Sequence, residues 1–210
     1  MASTEAELND HPRKLYRIFG FTMASDYPFV KLEEGSGYPD VTFTCAAGPS
    51  IPSDWIKMSP IYSISKSRED EVRWLSIYRP EDCDIVHIAQ IMDFYIWPDR
   101  IVCHLMDPAF RFLVEIRLLG DIFSLWLEKR GLLALHASAV VINSRAAAFL
   151  SANHGGKSTL SAALMQEGHP MLTNDILPIM DQDRDFMGRP SVVLPWAPKG
   201  WASFAARTVL

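Results

Sequence analysis

The sequence predicts an α/β protein, α+β overall, with a β-rich first half and a strand–loop–helix core in its second half. Three observations carry this reading. Short aromatic and β-branched runs, separated by turn residues, recur between positions 16 and 106. An apolar run at 146–150 enters a polar loop that ends in Gly155-Gly156-Lys157-Ser158-Thr159, followed by Leu160, Ala163 and Leu164 at helical spacing. A short apolar segment at 171–173 then runs into Asn174-Asp175.

Taken in order, residues 1–15 read as a loose tail. Residues 16–23 are aromatic and apolar, as in one strand. Residues 33–37, with two acids and two glycines, read as a turn. Residues 40–45 alternate, placing Val41, Phe43 and Cys45 on one face and Thr42 and Thr44 on the other. Gly48-Pro49 and Ile51-Pro52 break that strand. Segments 71–78, 84–91, 93–97 and 100–106 read as further strands, with Pro80, Asp82 and Pro98-Asp99 between them. Strands at this spacing suggest an antiparallel sheet. Glu71, Asp84, His87 and His104 lack paired spacing and read as solvated or hydrogen-bonded groups. Residues 112–116 read as one more strand. Residues 120–131 look helical, with Ile122, Phe123, Trp126 and Leu127 on one face and Gly131 closing the end. The run 132–142 is almost wholly apolar but carries one imidazole, His136, and one hydroxyl, Ser138. After a turn at 143–145 comes the strand that feeds the loop. The charged 181–185 segment and the Pro-, Ala- and Trp-rich 190–210 tail show no clear period. The organisation expected is a tail (1–15), a β-rich subdomain (16–118) and a loop-bearing core (119–210).

Composition narrows the function classes. Of 210 residues about half are apolar, enough for a real core. A net charge of −5 argues against a nucleic-acid or anionic-lipid partner. Three cysteines, with no Cys-x-x-Cys spacing, suggest neither a metal nor a disulfide framework and suit a reducing cytoplasm. The polar, acidic opening lacks a signal-peptide pattern, and no stretch reaches membrane-spanning length.

Strand, Gly-Lys-Ser loop and helix is the layout of a phosphate-binding loop. Successive amides line one concavity, the helix N-terminus adds partial positive charge, and lysine adds a full one. The strict pattern G-x-x-x-x-G-K-[ST] is met at Gly156, Lys157 and Ser158. Ser151 stands where it has its first glycine, and this costs only if that backbone needs a positive φ. The candidate cradle is Ser151, Asn153, His154, Gly155, Gly156, Lys157, Ser158 and Thr159. Lys157 would reach the outer phosphates of ATP. Ser158 would place its hydroxyl on Mg²⁺, with Asp175 as the acid near the metal or as a proton acceptor. Asn174 could orient a hydroxyl but has no basic site. His136, in an apolar strand, reads alone as a hydrogen-bonded core histidine. It gains a functional reading only if its strand neighbours the one feeding the loop.

These residues resemble a known family. Leu135-His136-Ala137-Ser138-Ala139-Val140, Phe149-Leu150, Gly156-Lys157-Ser158-Thr159-Leu160, Gly168-His169 and Leu172-Thr173-Asn174-Asp175 look like the core of the HPr serine kinase superfamily. The closer likeness is to its shorter relatives encoded beside lasso-peptide biosynthesis enzymes. Tyr16-Arg17-Ile18-Phe19-Gly20-Phe21-Thr22, Ser25-Asp26, Leu118-Leu119-Gly120 and Arg130-Gly131 resemble those relatives more weakly. The resemblance implies a P-loop HPr kinase-like core with an N-terminal β-rich subdomain. It implies ATP and Mg²⁺ as cofactors and transfer of phosphate to a serine hydroxyl, in the lasso-type relatives the C-terminal residue of a precursor peptide. It assigns catalytic roles to His136, Lys157, Asn174 and Asp175. In the family the first of an Asp-Asp pair is the general base, and here that position is Asn174, which leaves Asp175 or His136. The signature of the bifunctional HPr kinase/phosphorylases is absent downstream, although Glu115-Ile116-Arg117-Leu118-Leu119-Gly120 partly echoes it upstream of the loop. A nucleotide-binding regulator or pseudokinase is the alternative. An ATPase or GTPase switch is disfavoured, since no guanine-recognition motif is apparent. A homo-oligomer is left open.

Overall fold

The computed structural model describes residues 13–48, 54–65, 73–152, 154–182, 185–188 and 206–208. The expected features at Glu71, Asn153, the N-terminal tail and most of the C-terminal tail fall outside them. The fold is α+β, with two mixed sheets and a few helices. Among the described residues no helix is long and apolar enough to cross a membrane.

Among the described residues the first half forms a nine-stranded sheet. The expected single strand at 16–23 is a hairpin of β1 (Lys14–Ile18) and β2 (Phe21–Ser25). Phe19 and Gly20, both at positive φ, make the two-residue turn. All of β2 is buried, so the apolar run hid the turn. Part of the expected 33–37 turn is a short strand, β3 (Glu33–Glu34), paired to β1. Next come β4 (Val41–Ala47), β5 (Tyr62–Ser65), β6 (Arg73–Tyr78), β7 (Asp84–Ile88), β8 (Met92–Ile96) and β9 (Arg100–Leu105). Their order across the sheet is β3-β1-β2-β4-β9-β8-β7-β6-β5. The sheet is not purely antiparallel, as expected from sequence: β4 runs parallel to both β2 and β9. The long connection between β4 and β9 carries the β5–β8 meander and lets two parallel neighbours form.

The strand expected at 112–116 is helix. Asp107 caps the chain there by accepting from the Ala109 amide, with Pro108 in the first turn. Helix α1 (Arg111–Arg117) passes through a π-helical turn at 118–122, bent at Gly120, into α2 (Phe123–Lys129). Val114, Leu118, Ile122, Phe123, Trp126 and Leu127 then form one buried stripe packed on the sheet. They meet Phe43, Met92, Phe94, Ile96 and Ile101 in the main core. Each such side chain contributes about 1.5–3 kcal/mol by burial. The Trp126 indole also donates to Pro98 O at 3.1 Å. Asp84, nearly buried, accepts from Arg79 at 2.9 Å and lies 3.6 Å from the Lys129 ammonium, so a charged contact ties β7 to α2.

Among the described residues the second half forms a seven-stranded sheet in the order β10-β14-β15-β16-β12-β11-β13. The apolar run expected as one strand divides at Ala137 into β10 (Leu133–His136) and β11 (Ser138–Ile142). β10 pairs with β14 (Ile176–Gln182), whereas β11 lies between β12 (Arg145–Phe149) and β13 (Met171–Thr173). Asn143 and Ser144, both at positive φ, make the β11–β12 turn. Of the charged 181–185 segment, Asp181 and Gln182 end β14 and Asp185 starts β15 (Asp185–Gly188), and β16 (Ala206–Thr208) sits between β15 and β12. Helix α3 (Lys157–Gln166) packs against β11. A smaller core of Ala137, Ala139, Val141, Ala146, Leu172 and Leu177 holds this half, and Ile176 reaches into the main core.

Candidate functional site

β12 delivers the chain to the loop, and α3 takes it away. Between them His154 has φ 64° and Gly156 φ 83°. Ser151 does not adopt a positive φ, so serine at that position carries no backbone penalty. Gly155 has a separate reason to be glycine: a Cβ there would overlap the Ser151 hydroxyl. The departure at 151 and the glycine at 155 are therefore one steric arrangement.

Gly156 starts α3 in the left-handed region and offers no side-chain cap. The first amides of a helix have no partner within it, and their partial positive charge favours an anion in front. Leu160 N, one turn on, already bonds to Gly156 O. The Lys157 ammonium folds back on the loop, donating to Ser151 O at 2.9 Å and Ala152 O at 3.3 Å. Gly155 N bonds to Ala152 O at 3.0 Å and tightens the same turn.

The opposite wall comes from β10 and the turn after β13. His136 is not a core histidine: it ends β10 with its side chain 54% exposed. Nor does its strand pair with the one feeding the loop, because the break at Ala137 hands that contact to β11. It reaches the site by another route. The turn between β13 and β14 carries Asp175 back beside β10, where Ala137 N donates to Asp175 O at 2.9 Å. His136 Nδ1 then lies 2.8 Å from Asp175 Oδ1. Thr173 fixes this turn, its hydroxyl donating to Ile176 O at 2.7 Å and facing Asp175 N at 3.4 Å.

The two walls enclose a cleft of about 710 Å³, lined by His136, His154, Gly155, Gly156, Lys157, Ser158, Thr159, Asn174 and Asp175. Among the expected residues that are described, only Ser151, which meets Lys157 through its carbonyl, is missing from that lining; Asn153 lies outside the described residues. Cation, hydroxyls, helix amides, imidazole and carboxylate share one solvent-filled space. An anion could be held on the loop side while the His136–Asp175 pair accepts a proton on the other. Ser158 and Asp175 are hard oxygen donors. A hydroxyl, one carboxylate, waters and phosphate oxygens is a set that Mg²⁺ takes.

Sequence reasoning missed three supporting residues. Ser138 and Ser161, both fully buried, place their oxygens 2.6 Å apart and join β11 to α3. Thr173, also buried, anchors the Asp175 turn. The one signal was the lone hydroxyl in the apolar 132–142 run, since a buried hydroxyl has to find a partner. The expected Leu160, Ala163, Leu164 face is likewise not the buried one: Leu160 and Ala163 are exposed, and Ser161 is buried. Compared with protein-family models, with curated proteins and with solved structures, the chain matches none of them.

Proposed function

We propose that this protein is an ATP-dependent serine kinase with an HPr kinase-like phosphate loop, acting on a precursor peptide at a C-terminal serine hydroxyl. One observation carries the reading. A lysine-bearing helix N-terminus faces a histidine–aspartate pair across a single cleft, although the residues lie in three separate stretches of sequence. The likeness of residues 136–175 to the HPr serine kinase superfamily supplies the acceptor class, and ATP availability places the reaction in the cytoplasm.

In this reading the amides at the start of α3 and Lys157 hold the outer phosphates of ATP, and Lys157 leaves the Ser151 and Ala152 carbonyls to do so. Ser158 and Asp175 would hold Mg²⁺, which supplies charge neutralisation on the phosphate oxygens. The acceptor serine oxygen bonds to the terminal phosphorus as the bond to the ADP oxygen breaks. The serine proton passes to Asp175 or to His136, whose ring Asp175 orients. Positioning and charge do most of the work in such a transfer, so a weak base suffices.

The test is transfer of label from ATP, with Mg²⁺, to the precursor peptide encoded beside the gene. Label on the peptide's terminal serine is expected. Lys157→Ala should weaken nucleotide binding and slow transfer together, because it removes charge from ground and transition states alike. A second reading, a nucleotide-binding regulator or pseudokinase, is favoured by the neutral side chain of Asn174 where the family has its base. ATP binding that needs Lys157, with no label on the peptide, would establish it and remove the kinase.

A further inference from the structure

The buried serine pair does more than satisfy itself. Ser138 Oγ lies 2.6 Å from Ser161 Oγ, 3.3 Å from Asn174 Oδ1 and 3.5 Å from Thr173 O. A hydroxyl has one proton to give. Ser138 is the donor to the Ser161 hydroxyl and to the Thr173 and Asn174 carbonyl oxygens, which share its one proton in a single chain of contacts. The chain runs from α3 through β11 to the turn after β13. Ser161 is one helical turn beyond Lys157, so it begins on the element that carries the cleft's cation.

In this structure the Asn174 amide turns its oxygen toward Ser138. With Oδ1 held by Ser138, the polar capacity left on the side chain is its NH₂ group, which only donates. Asn174 lines the same cleft as Lys157, Ser158 and Asp175. A second carboxylate here would stand beside Asp175 and repel a phosphate. An oriented amide instead offers it a hydrogen bond, and bonds to charged acceptors are the stronger kind.

We infer that Asn174 is a hydrogen-bond donor to the phosphate in transfer, and that Ser138 and Ser161 are positioning residues that hold its amide in that sense. The inference rests on the nucleotide reading above. It assigns residue 174 to anion binding and leaves proton acceptance to Asp175 and His136. The contact is to the terminal phosphate, because Asn174 adjoins the residue that would meet the acceptor.

Calorimetric titration with MgATP and, separately, MgADP tests it, with folding of each variant checked by thermal melting. Asn174→Ala should weaken MgATP binding about tenfold and MgADP binding far less. Asn174→Asp should weaken MgATP further through added negative charge. Ser138→Ala and Ser161→Ala should shift the ATP-to-ADP ratio in the same direction by smaller factors, since the amide remains but loses its orientation. If Ser138→Ala does not fold, Ser161→Ala and the two Asn174 variants carry the test. Unchanged ATP preference in Asn174→Ala overturns the donor role. Faster transfer by Asn174→Asp, with ATP affinity intact, overturns it too, because residue 174 would then be a base site. Full ATP preference in both serine variants overturns the positioning role. Wild-type protein that binds neither nucleotide removes the kinase reading itself, and this inference with it, whereas wild-type binding with unaffected variants removes this inference alone.

Discussion

The first sheet and the cleft are built on opposite terms. Around the 111–129 helix, Phe43, Phe94, Phe123 and Trp126 are entirely buried, with Ile18, Met23, Ile88 and Met92 beside them. The cleft half has a core of alanines, valine and leucines. On α3 the buried side chain is a serine, and the histidine and aspartate opposite are both more than half exposed. Large apolar side chains hold the molecule together in one half, and small ones hold polar groups in reach of solvent in the other. The division teaches that stability and chemistry should fail separately.

The largest effect is expected in the first half. Trp126→Ala deletes the biggest fully buried side chain among the described residues and its bond to Pro98 O. It should cost about 4 kcal/mol, read from urea unfolding. A loss below about 1 kcal/mol would mean that this core does not carry the fold. Asp175→Asn tests the other side. It should slow transfer about 100-fold, the usual scale for losing a proton acceptor, read from initial rates. Its stability should stay within about 0.5 kcal/mol of wild type, because the side chain is exposed. Equal turnover would strip Asp175 of both metal and base roles, and a large stability loss would blur the division itself.

Legibility in the sequence divides along the same line. The strand β4 could be read because its apolar residues alternate, and β6–β9 because turn residues separate short runs. The loop and its helix could be read because the spacing of Gly156, Lys157 and Ser158 has a chemical reason, and Asp175 because it follows the short apolar run 171–173. What failed were segments apolar on both faces. The 16–23 run concealed a hairpin, and the 132–142 run concealed a change of partner at Ala137. Periodicity reports which face is buried and says nothing when both are. The 112–116 segment misled in another way. Its apolar residues suit strand or helix, and Asp107-Pro108, the capping signal that decides, lies outside the run. His136 joins the site through a register between β10 and β14, and no local pattern encodes a long-range register.

A smaller effect lies in the loop. His154 holds a left-handed backbone at φ 64°, where a Cβ costs about 1 kcal/mol that glycine does not pay. His154→Gly should therefore be more stable than His154→Ala by about that amount, by thermal or urea unfolding. No difference would mean that the turn relaxes when the imidazole is gone.

The smallest effect separates the halves by pH. His104, on β9, faces Asp93 on β8 and packs against Tyr95. Burial lowers its pKa below 6.5, outweighing the attraction of Asp93. The unfolded chain then binds the proton more readily than the folded one. The stability linked to His104 is full above pH 6.5 and is lost as pH falls through the lowered value. Asp121 cannot mimic this, since burial raises its pKa and makes stability fall as pH rises instead. His104→Gln should flatten the loss of stability between about pH 7.5 and 5, measured by urea midpoints. The pH profile of transfer should not move, because His136 and Asp175, the proposed proton acceptors, lie with the second sheet. A shifted transfer profile in His104→Gln would show that the two halves communicate, and the separation of stability from chemistry would have to be given up.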